Sequence, residues 1–309
     1  MKKERILIAD RVDRTLAEEL ERRGFEVLYS PGISREKLLE EIEKFDAVVV
    51  RSRTKIDAEV IKKGKNLKLI ARAGVGVDNI DVEEAAARKI EIITSPAAPA
   101  VSVAELTVAL MLVLARKINT AMQLTREGRW EKVEGIELRG KVAGIIGIGR
   151  IGREVARLCR CLGMEVIAYD VRKEALNELH GIKLADSLED LLRSSDIVTL
   201  HVPLTKETHR LIGKREIFLM KNGALLINTS RGSIVDQEAL LEALKVGKLG
   251  GAALDVLERE PPGELEMELI KHPNVVVTPH IGSQTVEAQR RIALEIAEAI
   301  ERKLRRVEE

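Results

Sequence analysis

The sequence predicts an α/β chain built as two parallel-sheet domains. Three observations carry this. Short β-branched runs alternate with segments of helical period, the alternation pauses after residue 93 and resumes at Lys141, and a Gly-x-Gly-x-x-Gly turn opens the second series. A length of 309 residues exceeds the roughly 100 to 200 of a single domain, so two cores of about 150 residues each are expected.

In the first series the strand candidates are residues 6–9, 26–29, 47–50, 69–71 and 91–93. Between the first two, residues 15–23 place Leu16 and Leu20 four apart with Gly24 behind them, which is one helix face and a stop signal. Residues 57–63 and 81–88 each begin on an aspartate suited to a helix cap, and Glu84 follows Asp81 by three as in a capping box. Strands joined by helices of this length form parallel βαβ units with right-handed crossovers. One long helix is then expected from Val101 to about Arg126. The second series offers strands at 142–146, 165–169, 197–201, 224–228, 251–254 and 275–278. Six strands is the number in a dinucleotide-binding sheet. Residues 286–303 have the pattern of a charged amphipathic helix.

Composition narrows the function classes. The chain is 45% hydrophobic and 33% charged, with 51 basic against 50 acidic residues, so nothing electrostatic argues for nucleic acid or a membrane surface. The longest uncharged apolar stretch, residues 106–115, is about half of what a membrane span requires. The N-terminal apolar run, ended by Asp10, is too short for a signal peptide. Cys159 and Cys161 are spaced for neither a disulfide nor a metal set. A cytoplasmic protein without a metal is the expectation.

The strand at 142–146 runs into Gly147-Ile148-Gly149-Arg150-Ile151-Gly152. Gly147 permits the tight turn, Gly149 lets backbone approach a pyrophosphate, and Gly152 allows close packing of helix on strand. The helix N-terminus then offers N–H groups and a positive dipole end to phosphates. Asp170 closes the next strand, 18 residues beyond Gly152, where a carboxylate accepts hydrogen bonds from the adenosine ribose. An acid there favours NAD over NADP, because it repels a 2′-phosphate; Arg172, two residues on, keeps NADP open. This domain is expected to be Rossmann-like, with NAD as cofactor.

Three later strands end in chemistry-bearing residues: Asn228-Thr229-Ser230-Arg231-Gly232, then Leu254-Asp255 leading to Glu260-Pro261-Pro262, then Thr278-Pro279-His280-Ile281-Gly282. Residues just past the carboxyl ends of parallel strands face the ligand crevice. Arg231 can grip a carboxylate or carbonyl oxygen, His280 can exchange a hydroxyl proton, and Glu260 can orient and charge that histidine. Each alone also reads as a structural residue: a core histidine, a surface arginine, a turn glutamate. Together, beyond a dinucleotide motif, they suit dehydrogenation of a hydroxy acid.

With Val50-Arg51-Ser52, the run Arg72-Ala73-Gly74-Val75-Gly76-Val77-Asp78-Asn79 and His201-Val202-Pro203-Leu204-Thr205, essentially the whole chain resembles the D-isomer-specific 2-hydroxyacid dehydrogenase family. Within that family it most resembles the short-form branch acting on 3-phosphoglycerate, a step toward serine. The resemblance implies that Arg231, Glu260 and His280 are the catalytic triad and that Gly147, Gly149, Arg150, Ile151, Gly152 and Asp170 hold NAD. By the same resemblance His201, Val202 and Pro203 line the adenosine side, Ser230 and Asp255 lie near the nicotinamide, and Thr229 and Gly282 complete the cofactor set. Arg51, Ser52, Gly74, Val75 and Gly76 would touch the substrate.

The resemblance further implies a discontinuous outer, flavodoxin-like domain of residues 1–97 and 284–309 around a cofactor domain of 98–283. It implies a homodimer through residues 101–115 and Gly128-Arg129-Trp130, with Lys132 reaching toward the partner's site. Many phosphoglycerate members carry Asn-Gly-Asn before the long helix; here the residues are Ala97-Ala98-Pro99, which removes polar groups expected near the phosphate. A glyoxylate or hydroxypyruvate reductase therefore stays open. So does a reading of another class, a dinucleotide-sensing interaction protein like the C-terminal-binding corepressors, although no added interaction segment favours it. No C-terminal regulatory extension, and hence no feedback through one, is expected.

Overall fold

A computed structural model of the chain describes residues 3–172 and 181–305. The chain folds into two compact units, Met1–Pro99 with Ser283–Glu309, and Ala100–Gly282. Of the outer segment expected at 284–309, the last four residues lie outside the described ones.

The first unit carries a parallel sheet of β1 (Arg5–Ile8), β2 (Glu26–Tyr29), β3 (Ala47–Val50), β4 (Leu69–Arg72) and β5 (Glu91–Thr94), in the order β2-β1-β3-β4-β5. That is the flavodoxin-like order, in which chain direction across the sheet reverses between β1 and β3. β3 reads Ala-Val-Val-Val and is buried on both faces, as strands inside parallel sheets are. One face packs Ile6, Ile8, Val49 and Leu69 on Leu16 and Leu20 of α1 (Thr15–Arg22) and on Ile292, Ile296 and Ile300 of the C-terminal helix Val286–Arg305. The other packs Leu7, Val48 and Ile70 against Leu38 of α2 (Arg35–Glu41) and Val60 and Ile61 of α3 (Ala58–Lys63). Asp57 caps α3 by accepting from the Val60 N–H at 3.2 Å. Asp81 caps α4 (Val82–Ala87) by accepting from the Glu84 N–H at 2.9 Å. The Glu84 carboxylate lies 3.8 Å from the Lys62 ammonium.

The second unit opens with α5 (Ala100–Ala115) and α6 (Ile118–Arg126), where the sequence pattern reads as one helix. The break is at Lys117, in the left-handed region at φ 48°. Its cause is a later piece of chain. The Ile136 N–H donates to the Ala115 carbonyl at 2.8 Å, and a side chain at Gly135 would stand 2.6 Å from that same oxygen. Helical propensity along 101–126 cannot register a strand of backbone that crosses at the break.

The sheet that follows holds β6 (Val142–Ile146), β7 (Glu165–Tyr169), β8 (Lys183–Leu184), β9 (Ile197–Leu200), β10 (Ala224–Asn228), β11 (Leu249–Leu254) and β12 (Val275–Val277). They run parallel in the order β12-β11-β10-β9-β6-β7-β8. Seven strands replace the expected six, because two-residue β8 is too short to show a pattern. Between them lie α7 (Arg150–Cys161), α8 (Leu188–Ser194), α9 (Lys214–Leu219), α10 (Gln237–Lys245) and α11 (Glu264–Lys271). This is the Rossmann order with an added edge strand, and its reversal lies between β6 and β9. The loops after β6 and β9 therefore meet at that point.

Candidate active site

The turn from β6 to α7 is shaped by what lies around its glycines. Gly147 has φ +91°, and a side chain there would stand 2.6 Å from the His201 carbonyl oxygen. A side chain on Gly152 would stand 2.1 Å from the Gly147 carbonyl oxygen, so only glycine lets α7 sit this close to β6. Gly149, the N-cap of α7, faces open space, with nothing within 4 Å of where a Cβ would be. Arg150 is exposed beside it and Ile151 half-buried.

At the end of β7, Asp170 accepts from the Ile148 N–H at 2.9 Å and from the Arg172 N–H at 2.9 Å, with the Arg172 guanidinium 3.4 Å away. Burial alone would raise this carboxyl; those hydrogen bonds and the Arg172 charge hold it below the usual range. Its oxygens keep acceptor capacity for sugar hydroxyls. An uncovered helix N-terminus, which donates to phosphate, beside an ionised strand-end carboxylate, which accepts from ribose hydroxyls, is the pairing a dinucleotide requires, so these residues fit NAD.

Across the reversal, the His201 N–H donates to the Ile146 carbonyl at 2.7 Å, and the His201 ring lies 3.0 Å from the Thr199 hydroxyl. Although part of the residue reaches solvent, the protein packed around the ring pushes it down to about 3, which favours the neutral form. The Ser230 hydroxyl donates to the Val202 carbonyl, and Pro203 is exposed. Thr229 is buried, its hydroxyl 2.9 Å from that of Thr107.

Past β10, the Asn228 side chain makes its own turn: it accepts from the Ser230 N–H at 3.0 Å and donates to the Arg231 carbonyl at 2.9 Å. Asparagine suits this place because its amide can do both. Arg231 donates to the Ser230 carbonyl at 2.7 Å. Gly232 has no room for a Cβ, which would fall 2.0 Å from the Leu257 carbonyl carbon. The segment leading to Glu260 thus crosses directly over the Arg231 turn.

The Glu260 carboxylate accepts from the Leu257 N–H at 3.1 Å and, through its other oxygen, meets His280 Nδ1 at 3.0 Å. Burial pushes Glu260 up, but the bonds from His280 and Leu257 and the charges of His280 and Arg231 hold it below the usual carboxylate range. Glu260 and His280 are thus in direct contact, and the Arg231 charge acts on Glu260. With the carboxylate at Nδ1, the neutral imidazole that donates there leaves Nε2 as its acceptor.

His280 is one of few non-glycine residues at positive φ, 53°, a conformation that costs about 1–3 kcal/mol and persists where surroundings over-determine it. Asp255 over-determines it. This side chain, 1% exposed at the end of β11, accepts from the Thr278 hydroxyl at 2.5 Å, the Ile281 N–H at 2.8 Å and the Gly282 N–H at 2.8 Å. Its own carbonyl accepts from the His280 N–H at 2.9 Å. Burial raises the Asp255 carboxyl, and those bonds with the His280 charge oppose the rise.

The five residues expected at the substrate belong to the first unit. Arg51 and Ser52 follow β3, Arg51 half-buried and Ser52 exposed. Burial pulls the Arg51 guanidinium down against the nearby Asp10 charge. Gly74, after β4, has φ +146°, and a side chain there would stand 2.0 Å from the Arg72 guanidinium. Val75 is 44% exposed and Gly76 half-buried.

Residues 108–282 match the family model described as D-isomer specific 2-hydroxyacid dehydrogenase, NAD binding domain. The chain belongs to this family. Among its members, the D-3-phosphoglycerate dehydrogenase of Archaeoglobus fulgidus is 50% identical over 300 residues, 96% of this chain and 56% of that protein. The chain therefore spans little more than half the length of that relative. The hydroxypyruvate reductase of Thermotoga maritima is 43% identical over 98% of this chain and 99% of its own. Among solved 2-hydroxyacid dehydrogenase folds, a glyoxylate reductase from Paecilomyes thermophila superposes with a TM-score of 0.86 at 31% identity, covering 97% of this chain and 95% of its own.

Residues to which motif reading gave no role are the ones that hold the others: Asp10, Thr54 and Asn79 in the first unit, Thr278 in the second. A signal for the aspartates exists. A buried strand runs directly into Asp three times, at Ile8-Ala9-Asp10, Ala168-Tyr169-Asp170 and Ala253-Leu254-Asp255, and each carboxylate accepts from two backbone N–H groups of loop residues.

Proposed function

We propose that the chain is an NAD-dependent dehydrogenase acting at C2 of a D-2-hydroxy acid, with 3-phosphoglycerate as its substrate. The observation that carries the reading is the 3.0 Å contact between His280 Nδ1 and Glu260, set in a chain of this family. When bound, NAD supplies the acceptor for the hydride leaving C2. The N-terminus of α7 at Gly149, Arg150 and Ile151 would hold the pyrophosphate, Asp170 the ribose, His201 to Pro203 the adenosine side, and Thr229, Ser230 and Gly282 the other end, with Asp255 acting there through the loop its carboxylate holds. Arg231 grips the substrate carboxylate and orients C2. His280 Nε2 takes the hydroxyl proton during oxidation and returns it during reduction. Glu260, held ionised, fixes the ring through Nδ1 and stabilises its charged form. Arg51 and Ser52, with backbone of residues 74–76, bind the remainder of the substrate.

The full-length match to a hydroxypyruvate reductase, together with Ala97-Ala98-Pro99 in place of polar residues, favours as second reading a reductase of glyoxylate or hydroxypyruvate. Kinetics on a panel separate the two. The expected result is the highest kcat/KM for D-3-phosphoglycerate with NAD; higher values for hydroxypyruvate or glyoxylate establish the second reading, and no turnover of any 2-hydroxy or 2-oxo acid overturns both.

A homodimer through residues 101–115 and Gly128-Arg129-Trp130, with Lys132 toward the partner's site, is supported by the exposure of Val101 and of Trp130, the latter 92% exposed. No described helix is long and apolar enough to cross a membrane. A cytoplasmic site suits the two unpaired thiols, of which Cys159 is buried and pushed up to about 12, beyond reactive use.

A further inference from the structure

We propose that Asp10 and Asn79 are positioning residues that fix the loop after β3, residues 51–54, and thereby aim Arg51 and Ser52 at the substrate. The proposal rests on the reading of Arg51 as a substrate-binding residue. β1 and β3 are the pair at which the first sheet reverses direction, and in open parallel sheets ligands lie outside the carboxyl ends of the strands at that point. The loops after β1 and β3 are the ones placed there to meet a ligand, and the second, residues 51–54, belongs to no helix or strand and is held by side chains from elsewhere.

Two side chains, both in the first unit, supply that shape from opposite polarities. Asp10, 2% exposed, follows β1 and accepts from the Arg51 N–H at 2.6 Å, the Thr54 N–H at 3.2 Å and the Thr54 hydroxyl at 2.6 Å. Asn79, at the end of the glycine-containing loop after β4, donates through its amide to the Arg51 carbonyl at 2.7 Å and the Thr54 carbonyl at 2.6 Å. The carboxylate thus holds the N–H groups and the amide the carbonyls of the same two residues. Each needs its own chemistry, since a carboxylate only accepts and an amide nitrogen only donates. Arg51 and Ser52 are left pointing wherever this frame sets them, and the Arg51 guanidinium reaches back to the Arg11 carbonyl at 3.4 Å, just past Asp10. A misdirected binding group weakens substrate capture while leaving the proton and hydride chemistry of the other unit intact.

The test compares Asp10→Asn, Thr54→Val and Thr54→Ser with the wild type and with Arg51→Ala, on whichever 2-hydroxy acid the wild type oxidises best. Asp10→Asn removes the charge that both backbone N–H groups and the Thr54 hydroxyl point at, and its amide nitrogen must either face those N–H groups or turn the Thr54 hydroxyl from donor to acceptor. KM for the hydroxy acid is expected to rise about tenfold, the scale of a lost well-placed charged hydrogen bond. kcat at saturation and NADH affinity by fluorescence titration should stay within about twofold, the resolution of the comparison. Thr54→Val, which deletes one hydroxyl and keeps the shape, should raise KM by a smaller factor, and Thr54→Ser should restore it. Amide hydrogen exchange across residues 51–54 should quicken in Asp10→Asn. Unchanged KM in a folded Asp10→Asn or Thr54→Val protein, or an equal loss of NADH affinity, overturns the proposal. Should Asp10→Asn fail to fold, the Thr54 pair decides by the same criterion. If Arg51→Ala raises KM and the frame variants do not, the frame alone is wrong; if Arg51→Ala leaves KM unmoved, the assignment of Arg51 to the substrate is what fails.

Discussion

The two units solve one problem twice, and differently. Each takes a strand-end aspartate, almost wholly buried, and spends its carboxylate on backbone N–H groups of a neighbouring loop: Asp10 on residues 51 and 54, Asp255 on residues 281 and 282. The loop held by Asp255 carries a histidine in a left-handed conformation, whose ring must meet Glu260. The loop held by Asp10 carries an arginine in a second frame, closed from the carbonyl side by Asn79. Stripping a buried carboxylate of its partners is costly, which disfavours other arrangements of either loop. What differs is the cargo. A fault in the Asp255 loop should appear in the chemical step, and a fault in the Asp10 loop in substrate binding.

The largest effect should come from removing the cargo itself. His280→Ala is expected to lose about 10² to 10⁴ in kcat, the usual worth of a positioned acid or base. NADH affinity should change little, because the helix N-terminus of α7 and Asp170 are untouched. A variant that keeps wild-type kcat would strip His280 of any part in proton transfer and collapse the comparison between the loops.

A smaller loss, up to about 10²-fold in kcat, is expected from Asp255→Asn, as a catalytic group shifts by a fraction of its working distance. Here an amide group must face one of three donors, and the left-handed turn at His280 loses its restraint. The contrast with Asp10→Asn is the point of the measurement: kcat against KM. If both variants raise KM alone, the two frames serve the same function and the distinction drawn between them is wrong.

Much of this was legible in the sequence. The strands, the Gly147 to Gly152 turn, the capping aspartates and the segments ending in Arg231, Glu260 and His280 are local patterns, set by period two, period 3.6 and the needs of a phosphate. What was not legible involves contacts between distant residues. Helical period continues through Lys117, and only the later chain at Gly135 and Ile136 ends α5. Strand β8 has two residues, too few for any period. Asp10 looked like the residue that stops a strand, because its partners lie 41 to 44 positions away. The strand-then-aspartate pattern it shares with Asp170 and Asp255 is visible only when the three are set side by side.

The account's central claim is that Glu260 and His280 work as a pair, and the pH dependence of Glu260→Gln tests it most directly. Glu260 is held below its ordinary carboxylate range. Its charge is therefore present above that range and lost only as pH falls through the lowered value, below the working region. Oxidation needs the neutral ring to take the proton and so fails on its acid limb, while reduction needs the protonated ring to give it and so fails on its alkaline limb. Replacing Glu260 by Gln removes a negative charge 3.0 Å from Nδ1, which disfavours the protonated ring, so both limbs should move to lower pH. A kinetic isotope effect with C2-deuterated substrate ensures that the chemical step is being followed. Limbs that move down together bear out the pair; limbs that stay where they are in the wild type, with the isotope effect expressed, contradict it.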